Sequence, residues 1–419
     1  MNPPDGPSAP GEGSDPLLLD VLRRRISERG PIPFSEFMEA ALYLPGRGYY
    51  ARPEDPVGRD EESDYYTAPS RHPAFGLLLG RQVAECLHNL GDGPREVVEA
   101  GPGSGALFAS VLQELRRLGI GWPGDLRGTL VEANSARAEA QRRRLEEAGF
   151  DRGVRWISPA EWEDSPRSVR GCLLANEVLD AMPVHRLVFR EGELREIYVD
   201  WKDGLVEVTG AISRPEIRRE LDRLGFTPRE GQEIEVGLEA VRWIRRAGGR
   251  LERGYVILAD YGYPAPELYS PRHHRGTLLA YHRHGTSEKY LERVGSQDLT
   301  AHVNFTSVLD AARESGLVAR GPVSQGRFLL ALGALELLGK PGDRFNLDEY
   351  RDRKALQDLF LPGGLGESHR VLVLGTPDVE MDLAGLRPPE LWIAPAPEDS
   401  EETGPLWRKG GDGAGSPRG

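Results

Sequence analysis

The stretch best suited to chemistry is Glu-Ala-Gly-Pro-Gly-Ser-Gly at residues 99–105, directly after an apolar segment. Gly101, Gly103 and Gly105 let the backbone turn without a Cβ clash. They also leave its N–H groups open to a ligand at the start of the following helix. The sequence therefore predicts a nucleotide-like ligand at this glycine turn.

Glu132 ends the next apolar segment. We therefore expect it to act together with the glycine turn in binding the ligand. A carboxylate there can accept hydrogen bonds from both hydroxyls of a ribose. Together with Ala106, the glycines satisfy the dinucleotide fingerprint of nicotinamide and flavin enzymes. Together with Glu99, they have the acidic-x-Gly-x-Gly-x-Gly form of S-adenosylmethionine sites. Glu132 suits both ligands, so both remain open at this point.

A second polar group follows a later apolar segment, as Asn176, Glu177 and Asp180. Carboxyl ends of parallel strands share one edge of a sheet, so these side chains are expected near the glycine turn. Asp260 ends another apolar segment. It is expected in the same cleft, because burying an unpaired carboxylate is costly.

Residues 273–302 contain five of the nine histidines. Such a cluster raises the question of a metal site. The spacing does not favour one, because no cysteine or matched carboxylate completes a ligand set. We therefore expect no metal. The histidines are His273, His274, His282, His284 and His302.

From residue 96 onward, apolar segments alternate with amphipathic ones, which predicts a mostly parallel α/β sheet. The expected strands are 96–100, 129–133, 154–157, 172–175, 255–259 and 371–374. The expected helices are 106–118, 135–148, 235–247 and 307–315, preceded by three N-terminal helices at 16–30, 36–44 and 73–90. Alternation over 185–209 predicts an antiparallel β insertion. The residues between 315 and 370 are expected to be helical.

The composition limits the function. The 66 acidic residues against 53 basic ones leave a net charge of −13, which disfavours nucleic acid and anionic membranes as general partners. No apolar run approaches the roughly 20 residues of a membrane-spanning helix. Two cysteines in apolar surroundings and no recognisable signal or transit peptide favour the cytoplasm.

Several motifs, taken together, resemble the MidA family, whose mitochondrial member methylates an arginine in a subunit of respiratory complex I. The resemblance covers about residues 17–338. The matching segments are 64–69, 99–105, 131–133, 176–184, 260–262, 276–281 and 298–303. It implies a class I S-adenosylmethionine-dependent methyltransferase fold, Rossmann-like, with an N-terminal helical addition and a β insertion. The implied activity is methyl transfer to arginine in a protein substrate.

The resemblance also implies roles for individual residues. The expected cofactor-binding residues are Glu99, Gly101, Gly103, Gly105, Glu132, Asn176, Thr67 and Pro69. Glu177, Asp180 and His302 are the expected catalytic residues. A guanidinium is always protonated, so carboxylates should hold its fork and aim one nitrogen at the methyl group. Alternatively, the two acids begin a helix capped by Asn176, and His302 is structural.

The expected organisation is a disordered tail at 1–16, a helical region at 17–92, a methyltransferase domain at 93–393 and a second tail at 394–419. Within the domain, 185–210 is the β insertion and 263–302 a loop region at the substrate cleft. A nucleotide-dependent oxidoreductase and a non-catalytic assembly factor remain as alternative functions. Whether the chain forms a homodimer is left open.

Overall fold

The computed structural model describes residues 13–52, 67–122, 124–283, 285–338 and 346–389. Their strands are β1 Ile32–Pro33, β2 Arg95–Ala100, β3 Leu126–Val131, β4 Val154–Ile157, β5 Val169–Asn176, β6 His185–Arg190, β7 Glu193–Trp201, β8 Leu205–Gly210, β9 Glu233–Val236, β10 Leu251–Tyr263, β11 Leu279–His282, β12 Gly285–Ser287, β13 Asp298–Thr300, β14 Val303–Asn304, β15 Val318–Ser324 and β16 His369–Gly375. Their helices are α1 Pro16–Arg29, α2 Phe34–Tyr43, α3 Ala68–Arg71, α4 Ala74–Asn89, α5 Ala106–Arg117, α6 Ser135–Glu147, α7 Pro159–Asp164, α8 Pro215–Arg223, α9 Leu238–Arg250, α10 Ala265–Leu268, α11 Phe305–Glu314, α12 Gln325–Ala331, α13 Ala334–Leu337, α14 Leu347–Asp358 and α15 Leu365–Ser368.

The central sheet has the strand order β15-β16-β10-β5-β2-β3-β4, with β14 added to β10. The pairs from β10 to β4 are parallel, whereas β16 runs antiparallel to β10 and β15. The chain moves outward from β2 to β4 and then returns to β5 on the other side of β2. This reversal opens a crevice at the carboxyl ends of β2 and β5. The predicted α/β fold with a mostly parallel sheet is confirmed.

Alternate residues of the central strands pack on opposite sides of this sheet. Val97 and Leu174 belong to a core shared with α4 and α5. Their neighbours Val98 and Leu173 belong to a second core shared with α9 and α11. Successive strand side chains point to opposite faces, so a strand with helices on both sides needs a continuous apolar run. This explains why the central strands were recognisable from the sequence.

A second, antiparallel sheet has the order β1-β7-β6-β9, with β8 paired to β7. The predicted β insertion is confirmed as β6, β7 and β8. Its sheet also includes β1 from the N-terminal region, where Ile32 pairs with Val199. Helices α1 and α2 share an apolar core with this sheet, which includes Phe37 and Val184. The N-terminal region is therefore not purely helical, because it supplies one strand.

Two predicted helix ends are explained by their capping residues. Asp15 accepts a hydrogen bond from Leu18 N at 2.9 Å, Pro16 begins α1, and Gly30 follows its end with a φ of 79°. Asn134 caps α6 in the same way by accepting from Ala136 N at 3.0 Å. The predicted tail at 1–16 is wrong at its end, since α1 begins at residue 16. Residues 1–12 and 390–419 lie outside the described part of the chain.

Three predictions about individual elements are wrong. The region 263–302, expected as a loop, contains a three-stranded sheet of order β12-β11-β13. Residues 233–236, expected near a helix start, form β9, and 318–324, expected as helix, form the edge strand β15. These strands are short, so their pairing with distant partners decides their conformation rather than local periodicity. None of the helices described here is long and apolar enough to cross a membrane.

Candidate active site

The glycine turn joins β2 to α5 at the crevice. Gly101, Gly103 and Gly105 have φ values of 63°, 49° and 77°, a region that residues with a Cβ rarely adopt. Gly101 N donates to Val131 O at 3.3 Å, which ties the turn to β3. A Cβ on Gly101 would lie 3.0 Å from Val178, whereas one on Gly103 would point into open space. Gly101 therefore allows a close approach, and Gly103 leaves a concave surface.

The concave surface belongs to a cavity of about 650 Å³ at the carboxyl edge of the central sheet. This volume is typical of sites for small molecules and cofactors. The predicted site residues that line it are Glu99, Gly101, Gly103, Glu132, Asn176, Glu177, Thr67 and Pro69. Gly105, Asp180 and His302 do not line it, so their predicted direct contact with a ligand is not supported by their positions. The structure otherwise brings the predicted cofactor residues together.

Glu132 follows β3 with both carboxylate oxygens held. Oε1 accepts from Asn134 N at 2.8 Å, and Oε2 accepts from Gln141 Nε2 at 2.9 Å. The same Nε2 donates to Gly103 O at 2.8 Å, while Gln141 Oε1 accepts from Trp156 Nε1 at 3.0 Å. Each carboxylate oxygen keeps a further lone pair for a ribose hydroxyl. Gln141 thus fixes the acid relative to the glycine turn.

Glu99, near the end of β2, is buried and lines the cavity. Its Oε2 has no hydrogen-bond partner among the described residues. Burial and, to a smaller extent, the nearby charge of Glu132 raise the pKa of this carboxyl to about 8. An unpartnered polar atom at a buried position costs stability. Its place in the cavity wall points to a ligand that supplies a hydrogen-bond donor.

These residues fit S-adenosylmethionine. Glu132 offers acceptors to the ribose hydroxyls, and Glu99 offers an unpartnered acceptor to an ammonium group. Gly103 leaves room that a Cβ would fill. Val131 and Trp162 add apolar surface to the same wall.

Helix α3 brings the N-terminal region to the cavity. Thr67 Oγ1 accepts from Ser70 N at 3.4 Å, and Ser70 Oγ accepts from Thr67 N at 2.9 Å, which caps the helix. This cap orients Ala68 N, which donates to Glu177 Oε1 at 3.2 Å. Residues 64–66 of the same predicted motif lie outside the described residues.

Glu177 occupies the cavity wall in the turn after β5. Its φ of 50° is left-handed, which costs a non-glycine residue about 1 kcal/mol. The turn is held by a hydrogen bond from Glu177 N to Ala259 O at 2.8 Å. Oε1 accepts from Ala68 N and from Asn176 Nδ2, both at 3.2 Å. Within the part of the chain that the structure describes, Oε2 accepts no hydrogen bond, so this oxygen is left for a ligand.

The alternative in which Glu177 and Asp180 begin a helix is wrong, because residues 177–184 form turns. The turn wraps around Asp260, whose Oδ2 accepts from Val178 N at 3.2 Å and from Leu179 N at 2.9 Å. Residues three apart share a face only in a helix. This explains why Glu177 lines the cavity and Asp180 does not.

Asp180 and Asp260 still influence the site electrostatically. Burial and the charge of Glu177, opposed by a hydrogen bond from the Tyr261 hydroxyl, raise the pKa of Asp180 to about 7. Burial, with the charges of Asp180 and Glu177, raises the pKa of Asp260 well above its ordinary range. Asp180 Oδ1 has no hydrogen-bond partner among the described residues. Such a cluster favours a positively charged group beside Glu177.

His302 lies outside the cavity, in contact with aromatic rings. Its ring centroid is 5.2 Å from that of Tyr261 and 5.3 Å from that of Tyr263. Burial, together with a smaller electrostatic effect of His273 and His369, lowers its pKa to about 4. The ring is therefore neutral at neutral pH. This arrangement favours the structural alternative for His302.

Three residues of the site were not singled out from the sequence: Arg137, Gln141 and His369. Arg137 lines the cavity, and its Nε and Nη2 have no partner within the described residues. Arg137 and Gln141 lie four residues apart on α6, just after Glu132, so they share one face of this helix. That spacing could have identified them from the sequence. His369 begins β16, and only the fold shows that this antiparallel strand starts at the carboxyl edge.

Within the described ranges, no group of three or more His, Cys, Asp or Glu side chains is placed to hold a metal ion. His273 instead stacks on Tyr263, with ring centroids 4.9 Å apart. His284 lies outside the described residues.

Sequence comparison connects this geometry to known proteins. The profile of a family described as "Putative S-adenosyl-L-methionine-dependent methyltransferase" matches residues 78–323. The Drosophila melanogaster protein named protein arginine methyltransferase NDUFAF7 homolog, mitochondrial, is 30% identical over 345 residues, covering 77% of this chain and 76% of that protein. The Rattus norvegicus protein arginine methyltransferase NDUFAF7, mitochondrial, is 29% identical, covering 78% and 77%.

The comparison with solved structures agrees with the sequence comparison. A crystal structure of a superfamily member from Burkholderia thailandensis, bound to S-adenosyl-homocysteine, superposes with a TM-score of 0.80. It is 32% identical in sequence, and the match covers 88% of this chain and 94% of that one. Of the two ligands left open by the glycine turn, the comparisons favour S-adenosylmethionine over a dinucleotide.

Proposed function

Because this chain belongs to a family of S-adenosyl-L-methionine-dependent methyltransferases, we propose that it methylates the guanidinium of an arginine in a protein substrate. The methyl donor is S-adenosylmethionine, as the sequence predicted. The arginine acceptor is the part of this function that we propose. The observation that carries it is the carboxylate of Glu177, which lines the cavity with Oε2 unpartnered and has buried Asp180 and Asp260 close by.

The chemistry of a guanidinium supports this acceptor. Arginine keeps its positive charge at any pH that a protein tolerates, and its planar fork is matched by a carboxylate. A neutral acceptor would leave the carboxylate of Glu177 without a counter-charge. The two curated relatives named above are called protein arginine methyltransferases, which supports the same choice.

Glu177 has the main role in the proposed mechanism. When bound, S-adenosylmethionine supplies an activated methyl group on a positively charged sulfur. Glu177 Oε2 holds an N–H of the guanidinium, while Ala68 N and Asn176 Nδ2 fix Oε1. Direct displacement requires mainly alignment of the reacting atoms and exclusion of water. Tyr43 and Tyr50 contribute to the enclosing wall of the cavity.

The experiment uses the full-length protein, S-adenosylmethionine labelled in its methyl group, and a lysate of host cells that lack this gene. Labelled proteins are hydrolysed and their amino acids separated. We expect the label in methylarginine. Glu177→Gln should lower the rate by about 100-fold, as expected for loss of a charged catalytic group, with S-adenosyl-homocysteine affinity by calorimetry unchanged. Glu139→Gln, an exposed acid on α6, is the matched control.

Label in methyllysine or in small molecules would contradict the arginine acceptor. No label, with normal S-adenosyl-homocysteine binding, would indicate a non-catalytic assembly factor instead. Binding of NAD or FAD in place of S-adenosyl-homocysteine would indicate an oxidoreductase.

A cytoplasmic location remains part of the proposal. Its basis is that Cys86 and Cys172 are both free thiols in the structure, as is typical of a reducing compartment. The two curated relatives are named mitochondrial, which does not fit this location. Cell fractionation followed by immunoblotting tests it, and recovery of the protein in a membrane or organelle fraction would contradict it.

A further inference from the structure

Methylation of a guanidinium leaves one proton to remove. The reacting nitrogen forms a bond to the methyl carbon, the carbon–sulfur bond breaks with its electron pair going to sulfur, and the nitrogen loses an N–H proton. The product is still a cation, because a guanidinium remains protonated in proteins. The released proton therefore has to leave the site, and a group of the protein beside Glu177 could carry it.

His369 is placed to receive this proton from Glu177. Its Nε2 lies 3.8 Å from Glu177 Oε1, and the two side chains are only 6% and 8% exposed. Nε2 has no hydrogen-bond partner among the described residues, which is costly for a buried ring nitrogen. Hydrogen bonds between catalytic groups are often long without substrate and shorten when it binds. A small movement of either side chain would bring the two atoms into contact.

Ser368 connects the other side of the imidazole to solvent. Its Oγ lies 2.9 Å from His369 Nδ1, and the residue is exposed. When Nδ1–H donates to this hydroxyl, Nε2 carries the lone pair that faces Glu177. An imidazole in this state can accept a proton on one nitrogen and release the other.

We propose that Glu177, His369 and Ser368 form a proton path from the reacting arginine to solvent. Glu177 accepts the N–H proton at Oε2. The carboxyl group then releases its hydrogen bonds from Ala68 N and Asn176 Nδ2 and rotates, which turns that proton toward His369 Nε2. His369 accepts it and releases its Nδ1 proton to the Ser368 hydroxyl, which exchanges with bulk water. Glu177 thereby returns to the carboxylate form. The path rests on the proposed arginine acceptor.

Other titratable groups surround the imidazole. The Tyr261 ring on β10 lies 5.3 Å from the His369 ring between centroids. Asp180 and His302 both interact electrostatically with His369. His302 is neutral at neutral pH. An imidazole that already carries both ring protons cannot accept another, so the methylation rate should fall as the pH is lowered.

The test compares wild type with His369→Gln and His369→Ala. Initial rates of arginine labelling in the gene-deleted lysate are measured from pH 6 to 9. We expect His369→Gln to be about 100-fold slower at pH 7 and to keep rising in rate up to pH 9, where wild type has reached a plateau. Added imidazole should restore part of the His369→Ala rate. Ser368→Ala should slow labelling by a smaller factor.

The control is His88→Gln, the same change at an exposed histidine on α4, which should match wild type. S-adenosyl-homocysteine affinity and thermal melting show whether each variant is folded. A wild-type rate and pH profile in His369→Gln would overturn the path. So would an equal loss at every pH without imidazole rescue, which would mean that His369 only packs. If wild type labels no arginine, the proposed function itself has failed.

Discussion

Gly103 shows how one missing side chain defines the ligand site. It has a left-handed φ of 49°, and a Cβ there would meet nothing within 4 Å, because it would point into the cavity. The residue therefore has two separable properties: a backbone conformation that favours glycine and a position beside the ligand.

A pair of variants separates these properties. Gly103→Val should remove detectable S-adenosyl-homocysteine binding, because its side chain would occupy the ligand space. Gly119→Val, in an exposed position just after α5 with a φ of 77° and equally open surroundings, should keep binding. Each variant should lose on the order of 1 kcal/mol or more of folding stability, because valine must adopt a positive φ there. Calorimetry and thermal melting measure both effects, and retained binding by Gly103→Val would show that the site lies elsewhere.

Glu177 combines a carboxylate that lines the cavity with a strained backbone. A left-handed conformation at a non-glycine residue persists only when the surrounding contacts enforce it. Here the main-chain hydrogen bond to Ala259 and the side-chain contacts to Ala68 and Asn176 do so.

Glycine at this position should remove the strain along with the function. We expect Glu177→Gly to be about 1 kcal/mol more stable than Glu177→Ala, because glycine adopts a positive φ without a steric cost. Both variants should be inactive in the labelling assay. Chemical denaturation of the two proteins gives the comparison, and equal stability would mean that the turn relaxes when the carboxylate is absent.

At the scale of elements, α6 joins the two halves of the predicted nucleotide site. Its Gln141 contacts the glycine turn, Glu132 and Trp156 through one amide group. Because all three contacts use a single buried side chain, the relative position of β2, β3 and β4 at this edge depends on it.

Gln141→Leu should therefore weaken S-adenosyl-homocysteine binding by roughly tenfold, the effect of losing a buried hydrogen-bond network of about 1.4 kcal/mol. Arg143→Gln, an exposed change two residues further along α6, should bind as wild type does. Affinity is measured by calorimetry, with circular dichroism to verify that α6 remains folded. A wild-type affinity in Gln141→Leu would show that Glu132 needs no such support.

At the scale of the whole molecule, the cavity is built from segments far apart in the chain. Tyr43 OH donates to Ala181 O at 2.9 Å, and Tyr50 OH donates to Asp298 Oδ2 at 2.7 Å. The N-terminal region is thus tied to the turn after β5 and to β13. The predicted cofactor residues and Glu177 line one cavity, beside which several acids are buried.

These buried acids predict how stability depends on pH. Glu99 and Asp180 have pKa values raised to about 8 and about 7, so the folded state holds their protons longer and its stability falls as the pH rises toward those values. The pKa of His302 is lowered from an ordinary 6.5 to about 4. His302 therefore makes the stability of the folded state rise with pH, but only between those two pH values. Above pH 6.5 the net effect of raising the pH is therefore a loss of folding stability.

We expect the melting temperature to fall between pH 6.5 and 8. Glu99→Gln mimics the protonated acid, so it should melt as wild type does near pH 6 and higher than wild type at pH 8. Differential scanning calorimetry at constant ionic strength tests this. Parallel curves for the two proteins would show that Glu99 does not titrate in this range.

The local pattern of the chain was sufficient for much of the site. Residues 95–105, Glu132 and the strand before Asn176 were found from apolar runs, glycines and acids close together in sequence, and the family resemblance added the acceptor. The positions of these residues around one cavity agree with that prediction. The functional roles of the individual residues remain predictions.

By itself, the sequence determined the order of strands and helices in the parallel part of the sheet, the glycine turn and the class of methyl donor. The order of elements and the glycine turn depend on side-chain periodicity or on neighbouring residues, whereas the class of methyl donor followed from the family resemblance. Only the tertiary structure decided that β1 joins the insertion, that β15 is an edge strand, that Glu177 rather than Asp180 faces the cavity, and that His369 lies beside Glu177. These outcomes depend on pairing and burial between residues distant in the chain, which no local pattern encodes.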